Sequence, residues 1–166
     1  MKNLYLIGMM GCGKSTCAGL LEEALGLPAL DTDTEIERRE RATVSEIFAL
    51  HGEAYFRDRE TDLCRELAER KGLIVACGGG LPLREENREL LRQSGTVIFL
   101  NRDPGTIYAQ ADMSGRPLGQ QGEAAFLERF SRREPLYRAA AHIIIGDHPT
   151  PEDTVAEILR KLEEEK

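Results

Sequence analysis

No apolar run in the 166-residue chain approaches the roughly 18 residues that a membrane-spanning helix needs. The only early apolar stretch, residues 4–7, leads straight into a glycine-rich segment. It is expected as a buried strand and not as a signal peptide. Cysteine is scarce: Cys12, Cys17, Cys64 and Cys77 form no C-x-x-C pair, and no histidine stands at ligand spacing. That excludes a zinc or disulfide framework and predicts reduced thiols in a cytoplasmic protein. His51, His142 and His148 are isolated and are expected to be structural or solvent-facing. Positive charge is in deficit, with 22 Lys and Arg against 29 Asp and Glu for a net charge of −7. Such a balance argues against a general nucleic-acid binder. There is no N-K-x-D guanine motif, which speaks against a GTPase switch, and no internal repeat or low-complexity linker. The length suits one domain spanning residues 1–166, with enough chain for a real core. It is expected to be a monomer acting on small molecules, with no nucleic-acid or membrane partner.

What is present begins with GMMGCGKST, residues 8–16. Glycine inside a helix start costs roughly 1 kcal/mol relative to alanine, so its repetition here asks for a reason. Gly8, four residues, then Gly13-Lys14-Ser15 matches the phosphate-binding loop G-x-x-x-x-G-K-[ST]. Because the glycines carry no Cβ, the backbone N–H groups of Gly11, Cys12, Gly13 and the residues after them can close around phosphate oxygens. The following helix points its positive dipole end at the same place, bringing Thr16 into the cradle. Lys14 is expected to reach the β- and γ-phosphates of a nucleotide, and the Ser15 hydroxyl to ligate Mg²⁺. Cys12 lies beside Lys14 at the helix start, an environment that favours thiolate, and is the expected reactive cysteine of the four.

Apolar runs and helical periods alternate along the chain. Strands are expected near 3–8, 29–32, 73–77, 96–100 and 142–146, and helices near 15–25, 33–40, 44–50, 53–70, 84–93, 103–110, 124–133 and 151–164. Thr43-x-x-Glu46 offers a capping box for the third helix. This alternation implies an α/β fold with a parallel sheet covered on both faces, and a site beyond the carboxyl ends of its strands. Only ADMSGRPLGQQG, residues 111–122, follows neither period, and it is expected to be a long flexible loop.

Several residues near those strand ends are unusual. In extended chain Asp31 and Asp33 share a face. One could hold Mg²⁺ through water while the other accepts a proton from a substrate hydroxyl, or one could simply cap the next helix. Arg57 begins a largely apolar face with Cys64 and Ala68, and Arg133 lies in line with Phe126 and Phe130. Pro135 is expected to end that second helix at Glu134. A buried arginine needs an anionic partner, which for Arg57 is either Glu53 or Glu60 at helical spacing or a substrate anion. Gly78, Gly79 and Gly80 end a buried strand, and three glycines exceed what a turn needs, suggesting backbone passing close to a ligand.

Taken together, GMMGCGKST, LDTD at 30–33, GEAYFR at 52–57, GGG at 78–80, GRPL at 115–118 and RREPLY at 132–137 resemble the shikimate kinase family across nearly the whole chain. The resemblance implies a three-layer P-loop kinase fold with a five-stranded parallel sheet, a substrate-binding helical segment near 33–61 and a mobile lid near 111–123. It implies ATP with Mg²⁺, and phosphorylation of the shikimate 3-hydroxyl. Arg57 and Arg133 would hold the shikimate carboxylate, Asp33 its hydroxyls, and Gly79 and Gly80 would also contact it. Asp31 would be the outer-sphere magnesium ligand and Arg116 the lid arginine on the ATP phosphates. The chain departs from the pattern at Cys77, where members often have Thr or Ser, and at Tyr108-Ala109-Gln110, which carries no basic residue near adenine; the 147–151 loop is the expected remaining adenine wall. The rival readings are a kinase of another small hydroxy acid such as gluconate, a nucleoside monophosphate kinase, which the paired carboxylates disfavour, and a non-catalytic nucleotide-sensing module.

Overall fold

The computed structural model describes residues 2–110 and 122–165. Arg116 and nearly all of the expected lid lie outside the described residues. The first strand, β1 (Asn3–Ile7), is buried at every position, as expected for a central parallel strand that touches helices on both faces. Gly13 then turns the chain with φ +99°, a left-handed value that favours glycine, and α1 (Lys14–Leu25) begins at the very next residue. The chain continues through β2 (Ala29–Asp31), α2 (Thr32–Glu40), α3 (Val44–His51) and α4 (Glu53–Ala68) to β3 (Ile74–Ala76). A single 3₁₀ turn (Leu81–Leu83) precedes α5 (Glu85–Ser94), β4 (Gly95–Leu100) and α6 (Pro104–Gln110). The chain resumes with α7 (Glu123–Ala140), β5 (Ile143–Ile145) and α8 (Pro151–Glu164).

The five strands form one parallel sheet in the order β2-β3-β1-β4-β5. Helices α1 and α8 pack together, while α4, α5 and α7 form a second group, giving the expected three layers. The capping box at Thr43 and Glu46 is present with both of its hydrogen bonds. The three histidines are structural or surface residues. His142 Nδ1 accepts from the Val97 N–H, His148 Nε2 pairs with Glu157, and the exposed His51 stacks on Tyr55.

One boundary is corrected. Helix α7 does not stop at Glu134 but continues through Pro135 to Ala140. Beyond the proline, Tyr137 and Ala140 are fully buried, and Tyr137 packs on Phe99 of β4 at 5.1 Å between ring centroids. Burial of two further turns outweighs the loss of one backbone donor and the local clash.

Candidate active site

One cavity of about 550 Å³ opens beyond the carboxyl ends of β1, β2 and β3. It is lined by Gly11, Gly13, Lys14, Ser15 and Thr16 of the phosphate loop, by Asp31, Asp33 and Gly78 to Gly80, and by Arg57 and Arg133. At the loop, the Lys14 ammonium donates to the carbonyls of Gly8 at 2.7 Å and Met9 at 2.9 Å, which stretches it back along the loop. The Ser15 hydroxyl donates to Asp31 Oδ2 at 2.6 Å. Asp31 Oδ1 meanwhile accepts from the Thr34 N–H at 3.1 Å and caps α2. The capping role and the site role therefore belong to the same carboxylate. Ser15 and Asp31 form a small, all-oxygen pair at the phosphate loop. That suits Mg²⁺, which keeps several waters and takes its remaining ligands from phosphates.

Asp33 reaches the cavity by a different route from the expected one. It does not follow Asp31 along an extended strand, because the chain is already helical at Thr32 and Asp33 sits in the first turn of α2. Loss of surrounding water, and then the neighbouring Asp31, push its carboxyl up to about 6.

Cys12 is also corrected. Its residue is 2 % exposed and does not line the cavity, and its N–H donates to the Met9 carbonyl at 3.2 Å. The thiol turns inward into the space left by Gly8, where a Cβ would stand 2.9 Å from Cys12 Sγ. Buried beneath the loop, it is not the accessible nucleophile that its place in the sequence suggests. Cys77 lines the cavity floor, and burial raises its thiol well above the ordinary range.

The triple glycine is explained by the side chains around it. A Cβ on Gly78 would stand 2.5 Å from Asp33 Oδ1 and 3.0 Å from Glu60 Oε2, and one on Gly80 would overlap the Arg57 guanidinium. At Gly79 it would come within 3.4 Å of the Met10 nitrogen and 3.5 Å of Arg133 Nη1. Gly78 and Gly80 yield their volume to different polar groups of the site, whereas a Cβ at Gly79 would make only ordinary contacts.

Arg57 has both of its expected protein partners. Its Nη1 donates to Glu60 Oε1 at 2.8 Å, while Nε and Nη2 donate to Glu53 Oε2 at 3.2 and 3.0 Å. The two carboxylates differ in setting, because the Glu60 side chain is 1 % exposed and that of Glu53 51 %. Glu60 Oε2 has no hydrogen-bond partner among the described residues. Burial pushes the Glu60 carboxyl up to about 7, against the opposing pull of Arg57. Its place on the cavity wall went unnoticed in the sequence, although the three-residue spacing to Arg57 on a buried face was the available signal. Arg133 is 5 % exposed and meets the same cavity from α7.

The chain matches the family model described as shikimate kinase over residues 10–163. A shikimate kinase of Symbiobacterium thermophilum is 42 % identical over 98 % of this chain and 97 % of its own length. One from Chromohalobacter salexigens is 42 % identical over 97 % of this chain and 92 % of its own. Among solved structures, shikimate kinase from Acinetobacter baumannii in complex with shikimate superposes with a TM-score of 0.95 at 38 % identity, covering 100 % of this chain and 95 % of that one. A phosphate loop alone would leave many families open, but agreement in sequence and fold from end to end does not: the chain belongs to the shikimate kinase family.

Proposed function

We propose that this chain transfers the γ-phosphoryl group of ATP to the 3-hydroxyl of shikimate, giving shikimate 3-phosphate and ADP in aromatic amino-acid biosynthesis. The observation that carries this reading is one cavity lined both by a phosphate loop and by two largely buried arginines. Phosphoryl transfer needs positioning and charge neutralisation more than covalent chemistry. Lys14 would meet the β- and γ-phosphates, with Gly11, Gly13, Ser15 and Thr16 around them. Ser15 directly and Asp31 through water would hold Mg²⁺, which supplies neutralisation of the phosphate charge when bound. Asp33 would take the proton of the attacking hydroxyl, a task suited to a carboxyl raised toward neutrality. Arg57 and Arg133 would bind the substrate carboxylate, with Gly79 and Gly80 allowing the close approach. Glu60 stays with Arg57 as a buried partner. Glu53, half-exposed, is the partner that a substrate carboxylate would displace, since an exposed ion pair contributes only about 0–1 kcal/mol. Arg116 is proposed, from the sequence, to add positive charge at the phosphates.

No helix among the described residues is long and apolar enough to cross a membrane. Cytoplasmic location and a monomeric state complete the proposal, and gel filtration tests the latter. The function is tested by coupled ADP release with Mg·ATP against a panel of hydroxy acids. Shikimate-dependent ADP release is expected. Release with gluconate instead, or nucleotide binding without turnover on any member of the panel, would overturn the reading.

A further inference from the structure

We infer that Tyr137 is a positioning residue for the substrate, its hydroxyl holding the Gly79 turn beside the Arg133 guanidinium. Tyr137 lies four residues beyond Arg133 on α7, so both side chains issue from one face of that helix. Its residue is 0 % exposed, and its hydroxyl donates to the Gly79 carbonyl at 2.6 Å. The Arg133 guanidinium is an electrostatic neighbour of the phenol and stands beside the same turn, its Nη1 3.5 Å from where a Cβ on Gly79 would be, and the phenol oxygen lies 3.5 Å from Met9 Sδ in the phosphate loop. A phenol has one proton to give, and here it goes to the Gly79 carbonyl. Burial pushes its pKa up to about 12, so the hydroxyl remains a neutral donor throughout the working range.

The ring does not depend on the hydroxyl for its place, because it packs on Phe99 within the core. The Gly79 turn does have reason to depend on it. A Cβ at Gly79 would sit 3.4 Å from the Met10 nitrogen, so the turn already lies against the phosphate loop on one side. The Tyr137 hydroxyl holds its carbonyl on the other. Gly79, which lines the cavity beside Arg133, thus takes its position from a buried oxygen that does not itself line the cavity. The continuation of α7 through Pro135 is what delivers this oxygen.

The inference rests on the proposed substrate roles of Arg133 and Gly79, and the experiment separates the two. Steady-state kinetics are measured for Tyr137→Phe and Arg133→Ala, each with thermal unfolding in the absence of substrate. For Tyr137→Phe, KM for shikimate is expected to rise about tenfold, with kcat and KM for Mg·ATP held within about threefold. Reintroducing the hydroxyl as 3-fluorotyrosine at this position is expected to restore the shikimate KM. A Tyr137→Phe enzyme that fails to fold, or that melts earlier with an unchanged shikimate KM, assigns the hydroxyl to stability alone and overturns the inference. If Arg133→Ala leaves shikimate KM unchanged, the underlying assignment of the clamp fails instead.

Discussion

Glu60 is a carboxylate withdrawn from water with one oxygen on Arg57 and the other without a partner among the described residues. Its pKa rises from 4.5 to about 7 on folding because burial disfavours the charged form more than Arg57 restores it. Between those values the folded chain binds more protons at this group than the unfolded chain does. Its contribution is therefore fully present below about pH 4.5 and is lost as pH rises through about 7. Glu60→Gln should flatten the pH dependence of stability across that window, by up to about 1.4 kcal/mol per pH unit. Asp33 shifts in the same direction but is present in both proteins, so the difference reports mainly Glu60. Parallel stability curves from urea melts of the two proteins would rule this out. For Asp33 itself, Asp33→Asn keeps the shape but cannot take a proton, and kcat should fall about 10²-fold or more with nucleotide affinity retained. A mutant keeping more than half of the normal kcat would reduce Asp33 to a first-turn acid of α2.

Helix α7 shows how packing overrides a local rule. A proline in a helix interior forfeits one hydrogen bond and crowds the carbonyl four residues before it, here that of Ser131, at about 3 kcal/mol. Part of that is returned through the unfolded chain, which proline makes less free by up to about 1 kcal/mol. Pro135→Ala should accordingly raise stability by about 1–2 kcal/mol, or roughly 3–6 °C in melting temperature for a domain of this size. Calorimetry showing a lower melting temperature would mean that the proline is accommodated without strain. At the other extreme, α3 obeys its local signal throughout. Thr43 caps Glu46 N–H at 3.1 Å and Glu46 returns a bond to Thr43 N–H at 3.0 Å, so Thr43→Ala should cost about 1 kcal/mol. No change in chemical denaturation would show that the box is redundant there.

The cavity brings a phosphate loop and a pair of arginines together on one core, and a ligand at either should stabilise the entire domain by mass action. A ligand at a hundred times its Kd adds about 2.7 kcal/mol. In thermal-shift measurements, Arg57→Ala is expected to lose the shikimate response and keep that of Mg·ATP, while Lys14→Ala does the reverse. Loss of both responses in either mutant would mean that the two are not separate. The sheet, its parallel sense and the phosphate loop could be read from local pattern, because each rests on short-range signals. Those signals are alternation of apolar runs, the Gly8-to-Ser15 spacing and the Thr43 cap. The same holds for Arg57 and Arg133, whose charge on apolar faces is visible in one dimension. What required the folded chain depends on residues far apart in sequence. Cys12 is buried because Gly8 makes room for it, Asp31 binds Ser15 while capping α2, and α7 crosses Pro135 because β4 and the Gly79 turn receive Tyr137. Local propensities amount to about 1–3 kcal/mol at any one position, whereas burial is shared among contacts that come together only once the chain has closed on itself.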